Sequence, residues 1–381
     1  MAVSIASSAL VPLVALTGCG LGMVSSQADP YSEGGSRIGC EAYSPYPDLE
    51  SMNTAIETEA SLYGIAGGDI ATSVRLPGDD VLFAFGDSIL DASMTQETTV
   101  RNSLLAVTSD RTCLVLGPDG GAFIPDRSDG IGYWPTSIAD ATRPGVAVNP
   151  TAALFLQRVR ETPDGGFVNL GPALAEVATD ADGVPQLVRT IDIGADNPSR
   201  QRIGWGAASW RGDDGHIYIY GTANPERDLV FGWSLHVARV TAEDVFDVSA
   251  WQYWDGTTWG ADPAASAELI PAVGGVSQTL SVFAEDGIWY AVSKQDDYLG
   301  SHVVIWSAPQ PTGPFTASGA VAHRPSDATT VRYAVVAHPT LYPQEGTVVV
   351  SISQNTTDKT ALAEDPTLYR PEFFRVPLPV P

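Results

Sequence analysis

A loose unit recurs five times along this chain, and no other feature restricts its fold as strongly. Each copy opens on glycine with small or aromatic residues, enters a strand-like stretch, turns tightly, and continues into a second, more apolar strand. Copies begin near Gly68, Trp134, Gly204, Gly275 and Tyr333, at spacings of 66, 70, 71 and 58 residues. The second strands read VLFAFGDS (81–88), AALFLQRVRE (152–161), HIYIYGTAN (216–224), IWYAVSKQD (288–296) and TVVVSISQN (347–355). Third strands follow as SLLAVTSD (103–110), WSLHVARVT (233–241), HVVIWSAPQ (302–310) and EFFRVPLP (372–379). Small antiparallel sheets repeated at this spacing predict an all-β protein, a five-bladed β-propeller with blades of about four antiparallel strands. Two packed sandwiches would not need five similar units. The last unit shows no fourth strand before Pro381. A ring must hide its final edge, so residues 50–62 are expected to supply the closing strand. The surrounding stretch from Asp48 to Tyr63 also carries the nearest approach to a helical period.

The residues ahead of the repeats read as targeting and tether. Ala9 to Leu16 is apolar but too short to span a bilayer. It ends in Leu16-Thr17-Gly18-Cys19, which resembles a bacterial lipobox, although no Lys or Arg precedes the cysteine. Residues 1–19 are therefore expected to be a lipoprotein signal peptide with Cys19 lipidated; an ordinary secretory signal is the alternative. Two acyl chains would hold the protein stably on the outer face of the membrane, so an extracellular location, anchored or secreted, is expected. Residues 20–45 read as a flexible linker and 46–381 as a single catalytic domain. Cys40 and Cys113 are expected to pair in an oxidising compartment. Two cysteines and scattered histidines are too few for a metal site. No phosphate-binding, dinucleotide or zinc motif is present, and no cofactor is expected. With 45 acidic against 20 basic side chains, the net charge of −25 opposes nucleic acid and anionic lipid. A neutral polysaccharide suits such a surface, and the protein is expected to be a monomer.

The first unit concentrates the chemistry. GGDIATSVRLPGDDVLFAFGDS folds on paper into a hairpin turning at Gly78-Asp79. That register sets Asp69 opposite Ser88 and beside Asp87, their Cβ atoms about 5–8 Å apart. A slip of one residue would change which face each side chain occupies. Two close carboxylates are what glycoside hydrolysis requires: one holds a proton for the leaving oxygen, the other stays ionised. Most other aspartates sit in turns such as Asp79-Asp80 and Asp213-Asp214, where they serve the backbone. Six further residues suit a sugar site. Asn102 could bond a sugar or orient a carboxylate. Trp134 and Trp205 open two first strands, where an indole can stack on a sugar or fill space between sheets. Gln278 and Gln354 occupy corresponding strand ends as sugar contacts. His338, in AHPTL, is either a channel residue or a structural one.

Gly86-Asp87-Ser88 with Asp91 also resembles the first block of GDSL-type serine esterases, with Ser88 as nucleophile. The D-x-x-H that would serve it, Asp213 to His216, lies mid-chain in a turn, and that fold needs alternating strands and helices. This reading and a non-catalytic glycan-binding lipoprotein stand as alternatives. The first unit, with RNSLLA (101–106) after it, resembles the first blade of bacterial five-bladed glycoside hydrolases of the endo-D-arabinofuranase type, family 183-like. The chain has Ser88 where that family usually has threonine. WQYWDGTTW (251–259), SQTLSVF (277–283), APQPTGPF (308–315), YAVVAHPTL (333–341) and SISQN (351–355) resemble later parts of it, so the likeness runs from about residue 60 to 380. It implies a glycosidase acting on a furanose polysaccharide such as the D-arabinan of an actinobacterial envelope. It also implies that Asp69 and Asp87 carry catalysis. More distant five-bladed arabinanases and xylosidases use a separate glutamate acid, and none stands out here.

Overall fold

The computed structural model describes residues 37–42, 46–92, 98–146, 149–163, 166–180 and 183–379. The expected signal peptide, Cys19 and most of the expected linker lie outside them. The fold is all-β, built of antiparallel sheets. The first sheet runs outward from Thr72–Arg75 through Val81–Phe85, Ser103–Val107 and Arg111–Leu116 to Arg37–Ala42. The second holds Gly132–Asp140, Thr151–Glu161, Phe167–Thr179 and Pro185–Asp192. The third starts with Gly204–Arg211, His216–Ala223 and Ser234–Thr241 and ends in two short strands, Gln252–Trp254 and Trp259–Gly260. The fourth begins with Ser281–Glu285, Ile288–Lys294 and His302–Ala308, and the fifth contains Thr330–His338, Thr347–Thr356 and Glu372–Pro377. The second strands of the repeat thus form where the apolar runs predict them. The fourth unit starts later than its sequence suggests: Val276 makes only an isolated bridge to Trp233, and regular pairing begins at Ser281.

The first strand of each sheet packs on the first strand of the next, and the fifth packs back on the first. A cavity of about 250 Å³ is lined from all five of them, by Ser73, Ile138, Trp210, Phe283 and Ala337 among others. Core clusters fill the joints between consecutive sheets. Leu82, Leu104 and Val115 meet Leu154 and Ala173 between the first two. Phe155 and Leu174 meet Ile219 and Ala238 at the next joint. Val237 and Leu235 meet Val282 and Ala291, and Val292 and Ile305 meet Val335 and Val350, at the two after that. Burying such surface is the main driving force for stacking sheets face to face.

The closing joint is made differently from expectation. Residues 49–58 form an α-helix, not a fourth strand for the last sheet. Asp48 caps it, accepting a hydrogen bond from the Ser51 N–H at 2.8 Å, and Ala, Met, Glu and Leu favour helix over strand. The helix still protects the edge. Asn53 donates to the Phe373 carbonyl at 2.7 Å and accepts from the Phe373 N–H at 3.2 Å, so one side-chain amide replaces a strand partner. Arg370, 5% exposed, completes the joint. Its guanidinium donates to the carbonyls of Ile56, Glu59 and Ala60 at the helix C-terminus and, through Nε, to Ala66 at 2.7 Å. Cys40 and Cys113 face each other across antiparallel strands of the first sheet and form the expected disulfide. Arg370→Leu removes the side-chain donor from four carbonyls at once. It should lower unfolding free energy by about 3 kcal/mol or more in urea titration, while Arg375→Leu, whose partners lie at the sheet edge, should change it less.

Candidate active site

The hairpin of the first sheet is broken in the middle. Thr72 faces Ala84 below the break, and Gly68 faces Ser88 above it. The turn is centred on Gly78, where Leu76 bonds to Asp80. The register is therefore one residue from the sequence expectation, and Asp69 stands across from Asp87 instead of Ser88. Between the halves, Ile70 and Ala71 have φ of 66° and 54°. Left-handed backbone is unfavourable for alanine and more so for β-branched isoleucine, and strain of this kind gathers at functional sites. The Ser353 hydroxyl holds the turn by accepting from the Ile70 N–H at 2.9 Å. The upper halves, Ile65–Gly68 and Ser88–Leu90, split off as a small separate sheet with Thr99–Val100. This bulge turns Asp69 toward Asp87. Gly86 is required beneath it, because a Cβ there would run into Oδ1 of Asp69.

Similar irregularities recur around the ring at this level. Pairing shifts between Phe155 and Leu156 in the second sheet, between Trp205 and Ala208 in the third, and between Tyr333 and Val335 in the fifth. Gly206 has φ of 92° and Ala334 of 47°. The hydroxyls of Thr136 and Ser137 both donate to the Gly206 carbonyl, at 2.7 and 2.8 Å, locking two of these bulges together.

Two neighbouring sheets supply the shell of the carboxylates. From the fifth, the Tyr333 hydroxyl donates to Oδ2 of Asp69 at 2.7 Å, and Tyr369 adds a second hydrogen bond to the same carboxylate. Oδ1 of Asp69 is shielded from solvent and has no protein partner. From the second sheet, the Trp134 indole N–H donates to Oδ1 of Asp87 at 2.7 Å. Burial is the largest influence on both acids. It raises Asp69 to about 7, helped by the charge of Asp87 and opposed by the two tyrosines. It raises Asp87 to about 6, opposed by the Trp134 bond and the Arg101 charge and assisted by Glu161 and Asp126. Arg101 is itself paired with Asp126 at 3.0 Å and with Glu161 at 3.8 Å. The arrangement provides one carboxyl that holds its proton near neutrality beside one that gives it up more readily, the division of labour general acid–base chemistry needs.

The other sequence candidates are dispersed. Trp134 joins Asp87 directly. Asn102 is buried and fully engaged with backbone, bonding Ile124 and the carbonyl of Tyr133, so it fixes the strand that carries Trp134. Trp205 packs on Tyr253 and lines a cleft with Gln157 and Gln278. Gln354 is half-buried opposite Arg332. His338 lies between the first and fifth sheets, its nitrogens bonded to Ser73 and Ser351, and burial holds its pKa down at about 3. Ser88 is buried, donating to the Gly86 carbonyl and sharing a bond with Ser103. Tyr369, Glu161 and Phe167 were not nominated by sequence. Tyr333 had a signal, since it opens the fifth unit as Trp134 opens the second.

A family model described as a domain of unknown function, DUF5005, matches residues 58–377. The chain belongs to the DUF5005 family. No curated protein matches this DUF5005 member. Among solved structures, a Bacteroides ovatus ATCC 8483 protein provisionally named a hydrolase shares its fold, with 18% identity over 94% of this chain and 97% of that one and a TM-score of 0.61. CoXyl43, a family-43 β-xylosidase/α-arabinofuranosidase from a compost metagenome, aligns at 13% identity over 84% and 93% of the two chains with a TM-score of 0.48. A family-43 enzyme from Xanthomonas citri complexed with xylotriose gives 13%, 86%, 93% and 0.46.

Raised acids have a stability consequence. Folding favours their protonated forms, so their contribution is complete below the ordinary value of 3.8 and is lost as pH climbs through about 6 and 7. Asp69→Asn, neutral at every pH, should therefore melt ~5 °C above wild type at pH 8 and close to it at pH 4, by calorimetry. Gly86→Ala should push Asp69 out of its position and bring its carboxyl pKa down toward 4 in a carbon-13 NMR titration.

Proposed function

We propose that this DUF5005 member is a glycoside hydrolase on a five-bladed β-propeller. In this reading residues 46–381 are one catalytic domain, acting on a furanose-containing polysaccharide such as D-arabinan. The observation that carries the reading is the Asp69–Asp87 pair: two carboxyls across one broken hairpin, both raised, each held by an aromatic donor from a neighbouring sheet. The closed circuit of five first strands supports the blade count. The first-blade likeness to D-arabinan hydrolases supports the substrate class.

Asp69, the more basic carboxyl, is the acid. Its proton passes to the glycosidic oxygen as that bond breaks. Tyr333 and Tyr369 already donate to the group and stabilise the carboxylate left behind. Asp87, ionised first, either attacks the anomeric carbon or takes a proton from the attacking water. Trp134 fixes its Oδ1 and leaves Oδ2 to react. The lipobox-like Leu16 to Cys19 supports action outside the cell, tethered to the membrane or secreted. The esterase alternative gains nothing from Ser88, whose hydroxyl is engaged with Ser103, or from His216, which pairs with Asp214 in a hairpin turn of the third sheet.

Oligosaccharide release from purified D-arabinan is the deciding measurement. Asp69→Asn and Asp87→Asn should each lower it by about 10³-fold, and wild-type kcat/KM should trace a bell whose limbs fall near pH 6 and 7. Full activity in either variant removes that residue from the chemistry. Binding without turnover by wild type establishes the non-catalytic glycan-binding reading instead.

A further inference from the structure

Most of the large exposed apolar side chains among the described residues share one kind of position, with Val146, Val188 and Val273 lying elsewhere. Phe167, Leu229, Phe231, Tyr298, Leu299 and Leu368 all lie in, or at the edge of, the connections from second to third strands in sheets two to five. The corresponding connection of the first sheet contains Asp87. One face therefore carries both the carboxylates and most of the large apolar groups left in water, a distribution that marks an interaction face.

Phe167 is the member of this set tied to the chemistry. It begins the third strand of the second sheet, paired with Glu161 across the hairpin, and the residue is 59% exposed. It meets the Trp134 indole edge-to-face, centroids 4.4 Å apart at 74°. That same indole donates to Asp87 at 2.7 Å. The exposed ring thus stands two contacts from a reacting carboxylate, braced by a side chain that is itself fixed. An aromatic ring so placed is matched by the C–H face of a sugar, which is apolar and flat. Asp126 and Glu161 add negative charge at Asp87, offset in part by Arg101, which disfavours a uronic acid or a sulfated sugar and favours a neutral one.

We propose that Phe167, braced on Trp134, is the platform that holds the apolar face of a neutral sugar beside the Asp69–Asp87 pair, setting substrate affinity without taking part in bond cleavage. The proposal rests on the glycosidase reading for its place in a reaction, and the two can be tested apart. Affinity of the full-length protein for D-arabinan oligosaccharides is measured by calorimetry in an Asp69→Asn background, and KM and kcat with Asp69 intact. Phe167→Ala and Phe167→Leu should each raise Kd and KM about tenfold, leave kcat within about threefold, and melt close to wild type; Phe167→Trp should restore affinity. Unchanged Kd and KM in Phe167→Ala, or full affinity in Phe167→Leu, would overturn the platform. Weakened binding in the variants with no turnover by wild type sustains the platform and removes the hydrolase. Turnover with unaltered KM does the reverse, and absence of binding by any form removes both.

Discussion

The guanidinium of Arg370 is where the two ends of this fold are joined. One planar group satisfies three carbonyls at the end of the helix 49–58 and a fourth at Ala66. Arginine suits this role because its donors form a rigid fork and its charge persists at any pH. The joint then extends along the chain, since the Tyr369 carbonyl accepts from the Gly68 N–H at 2.6 Å. Immediately beyond lies Asp69. The ring is therefore closed one residue away from its most perturbed carboxyl, and closure is what brings Tyr333 and Tyr369 to that acid.

The carboxylate pair is arranged against local preference at almost every step. Ile70 and Ala71 take left-handed backbone, Gly86 must lack a side chain, and two acids share a poorly hydrated place. Each is individually unfavourable, and the surrounding sheets are what make them tolerable. Ser353 fastens the strained turn, Trp134 and the tyrosines donate to the carboxylates, and Arg101 offsets part of the negative charge. The donors come from the second and fifth sheets, so the geometry of the first is set by both of its neighbours.

Strands were legible because period-two burial and β-branched runs are written locally, and the disulfide because only two cysteines remain beyond Cys19. The placement of the two aspartates was legible to within one residue of register. Pairing Asp69 with Asp87 needed only the hairpin, but the exact register depended on whether the turn centred on Gly78 or past it. The bulges were not legible. Of those at Ala71, Thr136, Gly206 and Ala334, one is marked by glycine, and the others arise from contacts with adjacent sheets. The helix 49–58 was misassigned because the need to close the ring was inferred correctly but the means was not: one asparagine amide does what a strand was expected to do. Tyr369 carries no sequence signal, since its partner lies 300 residues earlier and is reached only through closure.

That separation has a kinetic meaning. The contact from Arg370 to Ile56 spans 314 residues, and loop closure over such a length costs on the order of 5 kcal/mol if nothing has formed in between. The four intervening joints shorten that loop as they assemble, so the last joint forms most readily when the others are in place. Asp69 acquires its tyrosines only at that moment. A chain whose last joint is still open has its other four joints and both aspartates, yet it lacks the full burial that raises Asp69 and the tyrosines that oppose that rise. The environment of that acid is thus completed by the same joint that closes the ring.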